Sequence, residues 1–188
     1  MNPQARNLGL RTAPRTSFAL QRAILVLAVL AAVLMTVSPI YADSSVNKST
    51  IFYDSVNTMC VWGYSALTLH ASTGGADRAT IAAYTLLVTY TSCAGNSPWP
   101  YKTEPAGQTA LREDLNYWNG SYFWPCQSVG MIYSRSPLYY QSLDATYFAK
   151  PCGAGFYQTN SYVYAYDPTL PYGGWVGGSL TSGYLYQQ

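Results

Sequence analysis

Histidine is nearly absent from this sequence, because His70 is the only one among 188 residues. A site in which several imidazoles hold a metal is therefore excluded, and at most one imidazole is available as a general base. His70 falls near the end of a predicted hairpin arm, on its more polar face, which is typical of an exposed and inert side chain. We therefore expect no catalytic residues, no metal and no cofactor.

A hydrolase is the third and weakest of three functional hypotheses, because only one histidine is available as a general base. No glycine-framed serine turn marks a nucleophile. Glu113 and Asp114 are adjacent in the sequence and do not face each other, so they do not form the opposed carboxylate pair of a glycosidase. A small secreted hydrolase would have to be built on His70 or on acids whose proximity the sequence does not reveal.

Charged residues are also scarce, at 10% of the chain, and the basic ones are unevenly placed. Four of the ten basic residues are arginines in the first 42 residues, which leaves six basic and eight acidic residues in 43–188, a net charge of −2. A chain without a basic surface has little to attract a phosphate backbone, so we expect no nucleic-acid partner.

The amino-terminal residues read as an export signal. A leader with four arginines and no acid precedes the apolar run 23–37, and small Ala42 suits the last position before a signal-peptidase cut. A membrane-spanning helix needs about 20 apolar residues, which is more than this run offers. The sequence predicts a signal peptide over 1–42 and a single secreted β-rich domain over 43–188, located outside the cell, in a periplasm or at the cell surface. Membrane contact is expected only through the signal, if it stays uncleaved.

The four cysteines predict two disulfides in an exported chain. A metal site is the rival interpretation, but the chain has no closely spaced cysteine pair. Four cysteines allow three connectivities, and we predict the sequential one. The predicted bonds are Cys60–Cys93 and Cys126–Cys152.

The segment between the first two cysteines predicts a β-hairpin, since apolar and polar residues alternate along both arms. Placing the two cysteines opposite each other sets a register in which Leu67 faces Leu86 on the buried side and Trp62 faces Thr91 on the other. A tight turn at 74–75 would give a different register, and a longer loop or a bulge would reconcile the two.

One short helix is predicted over residues 109–118. Leu111, Leu115 and Trp118 follow helical spacing and would form its packed side. The charged stretch 112–114 would then lie on the outside. This is the only segment whose pattern favours a helix.

The remaining segments predict further short strands joined by glycine and proline turns. Residues 43–50 are expected to be loose and 51–53 to form a short first strand. A second hairpin is predicted between 122–134 and 139–150, and the last strand covers 175–186. This pattern indicates an all-β, disulfide-stapled fold, an antiparallel β-sandwich or partly open barrel with the one short helix.

Aromatic residues are abundant, with 19 tyrosines and five tryptophans. A core of this size does not bury them all, because each buried tyrosine hydroxyl needs a partner. Trp99 and Tyr101, in a loop stiffened by prolines, and the alternating stripe Tyr162, Tyr164 and Tyr166 are the candidate binding residues. Tyrosines that merely fill cross-strand pairs are the structural alternative.

The first functional hypothesis is therefore a secreted, non-catalytic binding module whose exposed aromatic residues contact carbohydrate or a cell-surface protein. The alternative is a structural or self-associating exoprotein, such as a coat, matrix or adhesin component, since low charge and tyrosine- and glycine-rich edges suit lateral strand pairing. No motif in the chain is specific enough to name a family.

Overall fold

The computed structural model describes residues 44–54, 58–70, 80–95, 97–148, 150–170 and 173–187. The segment predicted as a signal peptide lies outside the described residues. Eight strands run through the described ranges, where no helix is long and apolar enough to cross a membrane. The strands are β1 Ser44–Tyr53, β2 Cys60–His70, β3 Thr80–Tyr90, β4 Thr109–Trp118, β5 Phe123–Tyr133, β6 Tyr140–Phe148, β7 Gly155–Asp167 and β8 Gly174–Gln187.

The eight strands form two four-stranded sheets. The first sheet has the order β1-β2-β3-β6 and the second the order β5-β4-β7-β8, and every pairing is antiparallel. The sheets stack face to face, with β1 and β2 against β8 and β3 against β7 and β4. The predicted all-β antiparallel sandwich is confirmed.

The core between the sheets has two apolar clusters. The larger contains Val61, Leu87, Leu111 and Val163, and the smaller is built around Leu67 with Ile81, Leu115 and Tyr157. Both are produced by strict alternation, since the odd-numbered residues of β2, β3, β4 and β7 point inward. Full burial of one aliphatic side chain stabilises a fold by roughly 1.5–3 kcal/mol, so these clusters supply the main driving force.

A layer of buried polar side chains also lies between the sheets. Thr85 donates a hydrogen bond to Glu113 Oε2 at 2.9 Å, and its hydroxyl lies 2.7 Å from that of Ser161. Ser161 donates in turn to Ser65 at 2.8 Å. All four residues have no exposed surface. The layer therefore ties β2 and β3 of the first sheet to β4 and β7 of the second.

The prediction of a helix over 109–118 is wrong, because these residues form strand β4. Leu111 and Leu115 differ by an even number, so they share a face of a strand as readily as a face of a helix. β4 is an inner strand between β5 and β7, and both of its faces are covered. Glu113 and Asp114, expected on the outside, are buried on opposite faces of β4.

Both predicted disulfides are present, with Cα–Cα distances of 6.1 and 6.0 Å. Cys60 begins β2, whereas Cys93 lies three residues beyond the end of β3 at Tyr90. The other bond joins Cys126 on β5 to Cys152 in the turn before β7. Two intrachain disulfides are consistent with an extracellular or otherwise oxidising location.

The register predicted for the first hairpin is wrong. Leu67 lies opposite Ala83 rather than Leu86, and Trp62 lies opposite Val88 rather than Thr91. The prediction assumed that disulfide-bonded cysteines pair across the strands, but this bond reaches into the loop after β3. The buried face of β3 is consequently its odd-numbered face. The turn considered at 74–75 lies outside the described residues.

Two further expectations are corrected by the strand pairing. β5 and β6 do not form a hairpin, because β5 pairs with β4 and β6 pairs with β3 in the other sheet. The chain crosses from one sheet to the other over residues 134–139. The lead-in expected to be loose is ordered from Ser44 onward, since ten consecutive residues of β1 pair with β2.

Candidate binding surfaces

The tyrosine stripe lies on the outer face of the second sheet. Tyr162, Tyr164 and Tyr166 are half-buried on β7, while Val163 and Ala165 between them are completely buried. The alternation seen in the sequence is therefore present in the fold. The three rings point away from the core, toward the surface shared by β4, β5, β7 and β8.

One end of this surface contains an open groove of about 330 Å³, here called the Trp175 groove. Its lining residues are Ala110, Met131, Tyr133, Tyr164 and Trp175. The Trp175 ring lies 6.0 Å from the ring of Tyr133 and 5.6 Å from that of Tyr166. Ala110 leaves space between the rings because its side chain is small.

Gly177 shapes the same groove from β8, opposite Tyr164. Its φ is +146°, and a Cβ placed there would collide with the backbone carbonyl of Val163. Only glycine allows the backbones of β7 and β8 to approach so closely at this point. The groove therefore has a small residue on each side of Tyr164, one on β4 and one on β8.

The other end of the surface contains a second open groove of about 280 Å³, here called the Phe156 groove. Trp118, Phe123, Phe156 and Tyr184 line it. Phe156 and Tyr184 meet edge to face at 5.5 Å, and Trp118 and Phe123 lie 5.1 Å apart. Phe156 and Tyr164 are eight residues apart on one face of β7. At 3.4 Å per residue, the two grooves are about 27 Å apart.

A polar strip separates the two grooves. The Arg112 guanidinium donates two hydrogen bonds to Asp114, at 3.1 and 3.0 Å, and lies 5.1 Å from the centre of the Tyr162 ring. Asp114 also accepts a hydrogen bond from Ser128. The hydrogen bonds to Asp114 raise the pKa of Arg112, so the group stays charged. Its side chain is 41% exposed, which leaves donors available to a ligand.

Trp99 and Tyr101 lie elsewhere, beside the outer face of the first sheet. The loop that holds them pairs with the end of β3, where Thr91 donates to the carbonyl of Pro100 at 3.0 Å. The ring of Tyr90 lies 5.5 Å from that of Trp99 and 5.3 Å from that of Tyr101. The structure therefore divides the five predicted binding residues between opposite faces of the sandwich.

The grooves also use residues that the sequence did not single out. The sequence gives Phe156, Trp175 and Tyr184 no binding role, and it places Trp118 in the predicted helix. A usable signal was present, because Phe156 has the same parity as the stripe and so shares its face. Trp175 had no such local signal, since the β7–β8 register determines its position.

A set of buried acids occupies one end of the sandwich. Asp167 accepts hydrogen bonds from the amide and hydroxyl of Thr169, at 2.9 and 2.7 Å, and Thr58 bridges it to Asp54. Burial opposes ionisation of Asp167, but these hydrogen bonds and Lys102 outweigh it and lower its pKa. The contacts link the turn after β1 to the turn after β7, which gives these acids a structural role.

The metal-ligating side chains of the described residues do not cluster. No group of three or more histidine, cysteine, aspartate or glutamate side chains among them has the geometry to hold a metal. His70 is exposed at the end of β2. Glu113 and Asp114 are separated by the sheet itself.

Comparison with known proteins identifies no relative of this chain. No family model, no curated protein and no solved structure matches the chain.

Proposed function

We propose that this protein is a secreted, non-catalytic module that binds carbohydrate along the outer face of the second sheet. The observation that carries the proposal is the arrangement of two aromatic grooves on one face, about 27 Å apart with a polar strip between them. Ligand sites combine apolar and aromatic surface with a few polar groups that fix orientation. A glycan of several sugar units matches that combination.

The chemistry of the surface suits a sugar chain. The exposed rings of Trp175 and Phe156 offer flat apolar surface to the apolar faces of sugar rings. Between them, Arg112, Asn160 and Tyr162 provide donors and acceptors for hydroxyl groups. Asn160 donates to the Tyr162 hydroxyl at 2.9 Å, so these groups are already oriented before a ligand arrives.

Binding is tested with the full chain, expressed in an exporting host, purified, and measured on a glycan array and in pull-downs with insoluble polysaccharides. We expect binding to a neutral, extended polysaccharide. Trp175→Ala and Phe156→Ala should each weaken it at least tenfold, because each removes an aromatic anchor, which is worth about 1.4 kcal/mol or more.

Phe148→Ala is the matched control, because Phe148 is 75% exposed on the first sheet, away from both grooves. Its affinity should equal that of the unchanged protein. The proposal is wrong if no glycan is bound, or if the control weakens binding as much as the groove variants do. Binding to a cell-surface protein with no glycan involved would support the other partner class instead.

A further inference from the structure

The outer face of the first sheet is a broad aromatic surface with almost no charge. In one row across the sheet, Ile51, Trp62, Val88 and Tyr140 lie side by side on β1, β2, β3 and β6. Val88 is only 7% exposed although it points outward, because the neighbouring side chains cover it. The surface is thus already packed into a continuous layer.

Ring contacts extend this layer along the strands. Trp62 stacks on Tyr64 at 5.8 Å, and Tyr64 meets Tyr84 edge to face at 6.1 Å. At the other end, Tyr101 lies 4.5 Å from Tyr139. Soluble monomers rarely leave a large contiguous apolar patch exposed, and such patches mark interaction sites.

Charge limits what this surface can contact. The row of Trp62 and the next two outward-facing rows toward His70 contain one charged residue, Asp144. A strongly charged partner would find no complement here. A second copy of the same surface meets no like-charge repulsion except at Asp144, which lies at the margin of the aromatic rows.

The exposed area of this surface also suits contact with a second copy of the chain. Tyr53, Tyr101, Tyr139 and Tyr140 are each between 44% and 60% exposed. A tyrosine presents on the order of 200 Å², so these four contribute about 400 Å². The half-buried rings between them add to this area, so the surface offers more than half of the roughly 800 Å² per partner of a standard interface.

We propose that this surface packs against the same surface of a second copy of the chain, in a dimer with two-fold symmetry. The two first sheets would stack at about 10 Å, as sheets do inside a sandwich. Tyrosine and tryptophan are the residues that most often dominate interface energy. The second sheets would then face outward on opposite sides of the dimer, so dimerisation does not depend on the carbohydrate proposal.

The oligomeric state of the purified product of the full chain tests this inference. Light scattering after size exclusion and sedimentation velocity are measured from about 1 µM to about 1 mM, which covers typical dimer affinities. We expect twice the protomer mass at the upper end. The double substitution Tyr53→Lys and Tyr140→Lys should weaken dimerisation at least tenfold, because it places like charges across the interface.

Two controls separate this surface from other routes of association. Phe148→Lys adds one lysine to the first sheet outside the aromatic rows and is matched to Tyr140→Lys. Tyr184→Lys adds one lysine to the second sheet, where Tyr184 is 62% exposed. Both should dimerise as the unchanged protein does. Circular dichroism checks that each variant is folded, and Tyr140→Lys alone serves if the double variant is not.

The inference is overturned if the protein stays monomeric over the whole range, or if Tyr184→Lys dissociates the dimer while the Tyr53→Lys and Tyr140→Lys substitutions do not. Glycan binding by a monomer would leave the carbohydrate proposal standing and remove the dimer. A dimer that binds no glycan would do the reverse.

Discussion

Glu113 is a carboxyl group without access to water on an inner strand of the second sheet. Among the described residues, its Oε1 has no hydrogen-bond partner, and Thr85 alone donates to the other oxygen. Burial raises the pKa of Glu113 from 4.5 to about 7, and the nearby charges of Asp144 and Asp114 add to the effect. The folded protein therefore favours the protonated, neutral form of Glu113 over the charged carboxylate.

A pH dependence of stability follows from this residue. Its pKa is higher in the folded chain than in the unfolded one, so between pH 4.5 and about 7 the folded state binds the extra proton. Stability is then lost as pH rises through that window, by about 3 kcal/mol in total. Glu113→Gln removes this titration, so its unfolding free energy should fall much less from pH 5 to pH 8 than that of the unchanged protein. Burial also raises the pKa of Glu104, so a smaller loss in the same direction remains.

Urea unfolding at the two pH values checks this prediction. Asp144→Asn is the control, because Asp144 is an exposed acid on β6 and its removal leaves the buried carboxyl in place. The control should keep most of the pH dependence. An equal loss of stability at pH 8 in the unchanged protein and in Glu113→Gln would contradict the assignment.

Gly177 gives a second prediction at the scale of single residues. Gly177→Ala forces an alanine to φ +146° and pushes its Cβ into the carbonyl of Val163. We expect a loss of about 1–3 kcal/mol in unfolding free energy, typical of a strained backbone. Glycan binding should weaken as well, because the shift reaches Tyr164 in the Trp175 groove.

The matched control is Gly130→Ala on β5, where an added Cβ has no neighbour within 4 Å. Denaturant unfolding of the two variants should differ clearly, with the β5 variant close to the unchanged protein. Similar unfolding free energies for both would show that the β7–β8 contact tolerates a side chain. The comparison thus separates close backbone approach from the general effect of losing a glycine.

At the scale of elements, the sequence predicted strands well and their partners poorly. Alternation along β2 and β7 is a local property, so the inward position of Leu67 and the outward position of the stripe followed from it. The register of β2 with β3 did not, because it depends on a turn and on a disulfide that ends in a loop. Strand pairing depends on residues that are far apart in the sequence. A pattern within one strand therefore limits its possible partners and register but does not identify them.

β4 shows how a local pattern can mislead. Its leucines fit both helical and strand spacing, and the three charged residues of 112–114 favour a solvent-exposed position. Instead, Asp114 is paired with Arg112 on the outer face, while Glu113 is held in the polar layer. Tertiary contacts decided the structure of this segment, as they commonly do for short segments with mixed propensity.

The candidate site reflects the same division between local and nonlocal information. The stripe Tyr162, Tyr164 and Tyr166 was found from the sequence because its members share one strand. The grooves were not, since Trp175 and Phe123 reach them from β8 and β5. Which strands neighbour β7 is set by the two-sheet topology, and no pattern within β7 reports it.

At the scale of the whole molecule, two disulfides hold different parts of the sandwich. Cys60–Cys93 belongs to the first sheet, and Cys126–Cys152 ties the β5 edge of the second sheet to the turn before β7. The bonds enclose 33 and 26 residues, for which chain entropy predicts about 3–4 kcal/mol each. Such similar loops should stabilise the fold almost equally.

Serine pairs in place of each disulfide therefore give the last prediction. Each pair should lower the unfolding free energy by about 3–4 kcal/mol, and losing both bonds should cost about 7 kcal/mol if distant effects add. Domains of this size are stable by only about 5–15 kcal/mol, so the doubly substituted chain loses about half of its stability or more and should melt at a much lower temperature. Circular dichroism melts of the three variants, with the unchanged protein in reductant alongside, measure this. If the chain without either bond melts within a few degrees of the oxidised protein, the sandwich core alone holds the fold, and the disulfides matter for something other than stability.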